Sequence, residues 1–151
     1  VALSRGAAKV YAVDVGRGQL AWKLRQDDRV VVHERLNARH LTEDLIPEPV
    51  DLIMCDASFI GLETVLPIPL TFAAPGAWLV ALIKPQFEVG REQVGKKGVV
   101  RDPALHARTR ETIRAWLDGL PGWRVTGEAE SPITGTEGNV EFLIGAVREA
   151  A

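Results

Sequence analysis

Trp78-Leu79-Val80-Ala81-Leu82-Ile83 runs without a polar interruption into Lys84-Pro85, and the reading of the chain grows outward from this stretch. Six apolar residues in a row fit a strand buried on both faces, the pattern of parallel sheets covered by helices. Pro75-Gly76, just before it, is a turn signal. Upstream, Val50 to Cys55 is a similar strand closed by Asp56, and Ile60 to Ala73 is partly helical, shortened by Pro67 and Pro69. Further upstream, Lys9 to Val15 and Arg29 to Glu34 are short β-branched strands separated by a helical segment, Gly18 to Gln26. Val1 to Ala8 reads as the end of a helix, with Gly6 near its C-terminus.

Downstream, Pro85 to Arg101 has no clear period and is expected to be a loop. Asp102-Pro103 then starts a helix, with an acidic N-cap and proline at the first position. Leu105, Thr109, Thr112, Ile113, Trp116 and Leu117 give it an apolar stripe ending near Asp118-Gly119. Trp123 to Glu130 and Asn139 to Val147 are two last strands with no helix between them, so they pair antiparallel. The whole is an α/β chain with a mainly parallel sheet, an antiparallel last strand and helices on both faces.

The chain has 151 residues, 46% hydrophobic and 25% charged, which fits one globular domain and excludes a disordered segment. A net charge of −2 gives no overall basic field, so contact with nucleic acid must rest on a local patch. Cys55 is the one cysteine, which excludes an internal disulfide and a cysteine-based zinc site and fits a reduced, cytoplasmic setting. His33, His40 and His106 are scattered and suggest no metal site. Ala77 to Ile83, the longest apolar stretch, is too short to cross a bilayer. Trp22, Trp78, Trp116 and Trp123 are read as core.

Ligands of open α/β sheets bind outside the carboxyl ends of the strands. Asp14, Glu34, Asp56 and Lys84 all fall at or near such ends. For Asp14 and Glu34 a cap or a solvated turn carboxylate stands beside a ligand contact. Lys84 is either a lysine reaching from a strand end to water or part of a site. Glu141 lies in the otherwise apolar Asn139-Val140-Glu141-Phe142-Leu143-Ile144, and a buried glutamate needs a partner. A Lys84–Glu141 or a Lys84–Asp56 pair would account for both residues. Gly16-Arg17-Gly18-Gln19-Leu20-Ala21 also fits the dinucleotide-binding pattern, with Glu34 at the distance for a ribose, and so opens a nicotinamide-dependent oxidoreductase as an alternative. Against it, the charge of Asp14 would face the pyrophosphate.

Read together, Val13 to Leu20, Asp56-Ala57-Ser58-Phe59-Ile60, Leu82-Ile83-Lys84-Pro85-Gln86-Phe87-Glu88, Gly98-Val99-Val100-Arg101-Asp102-Pro103, Ser131-Pro132-Ile133-Thr134-Gly135 and Gly138 to Leu143 closely resemble the TlyA/hemolysin A family. Those proteins join an S4-type RNA-binding module to an FtsJ-like methyltransferase domain. The resemblance implies a Rossmann-like, S-adenosylmethionine-dependent fold and methylation of a ribose 2′-hydroxyl in ribosomal RNA or a ribosomal subunit. It implies that Asp56, Lys84 and Glu141 belong to the Lys-Asp-Lys-Glu catalytic tetrad. Asp14 matches the acidic residue on the cofactor ribose, Asn37 and Ala38 the segment beside the adenine, and Asp56 adjoins the cofactor too.

The family's glycine-rich cofactor motif, its first tetrad lysine and the RNA-binding module have no counterpart in these residues and are expected upstream of residue 1. On this reading residues 1–151 are the C-terminal part of the methyltransferase domain, and the first strand of the sheet is missing. The unpaired edges are then closed by a partner chain, as in a swapped dimer, or by collapse of neighbouring strands. A non-catalytic product that binds RNA or a partner is the further alternative.

Methyl transfer to oxygen is an in-line displacement that gains from alignment and from removal of the hydroxyl proton. Lys84, when neutral, is the candidate for that base, or else it orients the hydroxyl. Between Lys84 and Arg110 seven Lys/Arg stand against three Asp/Glu, a basic patch suited to phosphates. Ser58, Phe59, Phe87, Arg91, Lys96, Lys97 and Asn139 are the candidate RNA contacts, with Phe59 and Phe87 either stacking on a base or packing in the core.

Overall fold

A computed structural model describes residues 1–18 and 20–149. Gln19, near the start of the expected helix over Gly18 to Gln26, lies outside the described residues. The chain divides into two compact units, Val1–Glu48 and Pro49–Ala151.

In the first unit, strands β1 (Val10–Val13) and β2 (Val30–His33) pair in parallel, with Val10 beside Val30 and Val13 beside His33. Both lie within the expected strands. The helix between them is a single turn, α1 (Trp22–Arg25), and Leu3–Arg5 is a 3-10 turn closed by Gly6 at φ 99°. Glu48 ties the unit together: Lys9 Nζ lies 2.6 Å from its carboxylate, and the Tyr11 hydroxyl donates to it at 2.5 Å. Ile46 is the buried residue here among those described.

The second unit holds a four-stranded sheet in the order β3-β4-β6-β5. Its strands are β3 (Val50–Cys55), β4 (Ala73–Ile83), β5 (Trp123–Glu130) and β6 (Phe142–Arg148). β3 pairs in parallel with β4, while β6 runs antiparallel to both β4 and β5. β3, β4 and β5 therefore point one way and only the last strand is reversed, as expected. The Pro75-Gly76 signal does not end the strand. It forms a bulge inside β4, where Gly76 has φ 81° and the partners jump from Val50–Ala73 to Leu52–Trp78.

The long helix α5 (Pro103–Asp118) begins as expected: Asp102 caps it by accepting from the Ala104 amide at 2.9 Å, and Pro103 occupies the first position. Its far end is tied to β5 by the Asp118 carboxylate, which accepts from the Val125 amide at 3.0 Å. Thr109, Ile113 and Leu117 of the stripe are buried. They share the interior with Leu79, Ala81 and Ile83 of β4, Ile144 and Ala146 of β6, and Leu62 and Val65 of the short helix α2 (Leu62–Val65). A second single turn, α3 (Pro67–Leu70), follows α2, and the two prolines keep both short.

Within this unit helices cover one face of the sheet, and the opposite face of β3 and β4 exposes Leu52, Met54, Trp78 and Val80. The expectation that all four tryptophans are core fails. Trp22 and Trp78 are 74% and 51% exposed and so are not core, whereas Trp123 is buried. Strand alternation is the reason for Trp78. Its neighbours Ala77 and Leu79 turn to the helix-covered side, which leaves the indole on the bare one. No described helix is long and apolar enough to cross a membrane.

Candidate active site

The strand directions of the second unit decide which polar residues meet. β3 ends at Cys55 and its parallel neighbour β4 at Ile83, so Asp56 and Lys84 leave the sheet at the same edge. β6 enters at that edge, because the antiparallel register sets Phe142 beside Ile83. Lys84 directly follows Ile83 and Glu141 directly precedes Phe142, so both lie at this edge.

Lys84 is 8% exposed, and Pro85 keeps it extended at φ −113°, ψ 97°. Its ammonium lies 2.5 Å from Asp56 Oδ1 and donates to Ser58 Oγ at 3.4 Å. Of the two pairings expected for Lys84, the one with Asp56 is made. Glu141 is equally buried and takes its hydrogen bond from Gln86, whose Nε2 donates to Oε2 at 2.8 Å.

Gln86 belongs to a single helical turn, α4 (Pro85–Glu88), inside the stretch expected to be a loop. Residues of this turn reach three separate segments. Gln86 meets Glu141, Phe87 packs on Phe59 with ring centroids 4.9 Å apart, and Glu88 accepts from the Leu62 amide at 2.9 Å. Burial pushes the Glu88 carboxyl above its ordinary range, and the Leu62 amide offsets part of that. Gly61 admits the close approach: a Cβ there would sit 3.1 Å from Glu88 Oε2.

Phe59 is 89% exposed and has a left-handed backbone at φ 63°, so it is not the core residue that its composition class favours. With Gln86, Phe87, Val89, Arg91 and Gly98 it lines a cleft of about 530 Å³. Arg91, Lys96 and Lys97 are exposed on the loop beside it. Asn139, expected at the substrate, is instead interior at 2% exposure. Its oxygen accepts from the Val100 amide at 3.0 Å, and its nitrogen donates to the carbonyls of Gly98 and Thr136 at 2.9 and 3.0 Å. It clips the basic loop to the segment before Glu141. Cys55 has its thiol pushed up to about 11 by burial and by neighbouring Asp56, so it is a neutral packing group near neutral pH.

In the first unit Asp14 follows β1. Its Oδ1 accepts from the Gly16 amide at 2.8 Å, and its carbonyl accepts from the Leu36 amide at 3.0 Å. This brings the end of β1 to Asn37 and Ala38. Asn37 caps the turn Ala38–His40 by accepting from the Arg39 amide at 2.9 Å. An exposed carboxylate with one oxygen not committed to its own turn suits a ribose diol, so these residues fit a nucleoside-bearing cofactor. Glu34 is already engaged within the unit, since the Gly18 amide donates to it at 3.2 Å and Arg25 pairs with it. Among the described residues α1 starts only at Trp22, and none of them opens a helix N-terminus at Gly16 or Gly18 to hold a pyrophosphate. The nicotinamide alternative lacks its geometry.

Sequence reading missed Gln86 and Glu88 as site residues. Their signal was their place in Lys84-Pro85-Gln86-Phe87-Glu88, where Pro85 is pre-set for a helical turn.

The FtsJ-like methyltransferase family matches residues 1–148. The chain is similar to the 16S/23S rRNA (cytidine-2'-O)-methyltransferase TlyA of Mycobacterium tuberculosis, with 53% identity over 95% of this chain and 53% of that protein. It is 38% identical to hemolysin A of Brachyspira hyodysenteriae, over 93% of this chain and 59% of that one. A solved structure of a hemolysin-like protein from Lactococcus lactis is 44% identical, covers 99% of this chain and 73% of its own, and superposes with a TM-score of 0.91. The chain thus spans about half the length of the curated relatives it matches. By motif order, strand directions and extent of match, it belongs to the FtsJ-like methyltransferase family and carries that family's Rossmann-like α/β fold.

Proposed function

We propose that these residues are the methyltransferase part of a polypeptide of the relatives' length, one that transfers a methyl group from S-adenosylmethionine to a ribose 2′-hydroxyl of ribosomal RNA. The observation that carries this is the buried Lys84 ammonium held on Asp56 at the shared edge of β3 and β4, with the buried Glu141 entering at the same edge just before Phe142, the partner of Ile83. S-adenosylmethionine, when bound, supplies the electrophilic methyl group. Asp14 would accept from its ribose hydroxyls, and Asn37 and Ala38 would border its base.

On this chain's side, Lys84 holds the 2′-hydroxyl and, when neutral, takes its proton. Asp56 and Ser58 fix the direction of its amine, and Glu141 closes the site from β6. The exposed Phe59 ring offers a stacking face to a base, and Arg91, Lys96 and Lys97 offer charge to phosphates.

The test is Lys84→Ala in the intact natural polypeptide, assayed for transfer of labelled methyl to ribosomal subunits. A loss of about a hundredfold or more in rate is expected, the range for removing a proton-transfer group. Asp56 is 71% exposed, so water replaces its partner and the variant leaves no unpaired charge buried. Normal transfer by this variant would refute the role. In parallel, S-adenosylmethionine should raise the melting temperature of the intact polypeptide and a nicotinamide dinucleotide should not.

A further inference from the structure

We infer that Gln86 is a positioning residue that holds the Glu141 carboxylate in place; this rests on the reading of Glu141 as part of the methyl-transfer site. Three observations carry it. Gln86 is 9% exposed and Glu141 8%, so their 2.8 Å hydrogen bond is shielded from water, where burying two polar groups is costly. The Gln86 amide also leaves its own Oε1 buried without a donor. Turning the amide over would set that oxygen against a carboxylate. The side chain therefore accepts an unmet acceptor in order to keep its N–H on Glu141, and a charge-assisted bond is the stronger of the two. Finally, Gly135 lies against the same oxygen, where any Cβ would collide with Glu141 Oε2. Glu141 Oε2 thus meets both an amide and a bare backbone, while α4, which carries Gln86, also follows directly on Lys84. One turn of helix thus fixes the lysine and the glutamate relative to each other.

A residue kept only for packing would behave differently, because Met fills the same volume and would remove the unmet acceptor as well. Two measurements on the intact polypeptide separate the cases. In the first, the side-chain amide protons of Gln86 are followed by NMR. They should exchange slowly in the wild type and on the order of tenfold faster in Glu141→Ala, as for loss of one charged hydrogen bond. Rapid exchange in the wild type, or no response to Glu141→Ala, would overturn the inference whatever the methyl-transfer assay gives.

In the second, Gln86→Met should lower kcat about ten- to a hundredfold with KM within about twofold, as a misplaced group does. It should add nothing further in a Glu141→Ala background. An equal loss in both backgrounds, or a loss in KM alone, would overturn the inference. If Gln86→Met does not fold, Gln86→Asn keeps the amide but draws it back from Glu141 and should give the same kcat loss. If the wild type transfers no methyl group, the proposed function fails, and the amide exchange alone decides the Gln86–Glu141 link.

Discussion

Asn139 shows how one buried side chain holds loops that carry chemistry. Its amide makes three hydrogen bonds to backbone of the basic loop and of the segment before Glu141. Asn139→Ala leaves the buried Val100 amide without an acceptor, and a loss of about 1–3 kcal/mol in unfolding free energy is expected. Denaturant unfolding of the variant against wild type checks this. Cys55 gives a pH signature. Its folded value of about 11 lies above the ordinary 9.0, so the neutral thiol favours the folded state below pH 9. As pH rises from 9 to 11 the unfolded chain ionises first, and that advantage is lost. The decline should be roughly 2–3 kcal/mol over this window. Unfolding measured between pH 8 and 11 should show it in the wild type and not in Cys55→Ala.

Among the elements, α5 is the one most fully written in local sequence. Asp102, Pro103 and the spaced apolar residues marked its start, its end near Asp118 and the buried Thr109, Ile113 and Leu117, while Thr112 of the stripe is exposed. Asp102→Ala should cost about 1 kcal/mol and lower the melting temperature accordingly. β3 and β5 also have the expected bounds, because each is a short β-branched run closed by polar or turn residues. β4 and α4 were less legible. Pro75-Gly76 carries the same local signal whether it ends a strand or bulges one, and only pairing with β3 chooses the bulge. Pro85 to Glu88 is too short to show a helical period, and its turn is fixed by the contacts of Gln86, Phe87 and Glu88.

For the whole molecule, the two units differ in how much they bury. The second has β4 and β6 each paired on both sides over a core that includes Leu79, Ile83 and Ile144. The first has a two-stranded ladder whose residues are all half-buried. Hydrogen exchange should therefore show β1 and β2 amides exchanging faster than those of β4 and β6, on the order of tenfold or more. Equal protection would contradict this.

What the sequence determined by itself were the strands and their directions, the long helix α5, and Asp56, Lys84 and Glu141 as candidate site residues. Apolar runs and caps are local properties, and the motif order is written along the chain. Asp56 and Lys84 stood out because they follow apolar strands at the end where ligands bind, and Glu141 because it interrupts an apolar run in which a buried carboxylate needs a partner. Only the tertiary structure decided how these residues are partnered. Lys84 could have taken either carboxylate, and the parallel edge of β3 and β4 gave it Asp56. Glu141 then went to Gln86, a residue whose importance depends on a contact 55 positions away in the chain. Likewise, Asn139 turned inward against expectation, and Phe59, for which core and surface were both open, turned outward. Pairing across such distances depends on sheet register and backbone conformation, which no local pattern of residues encodes.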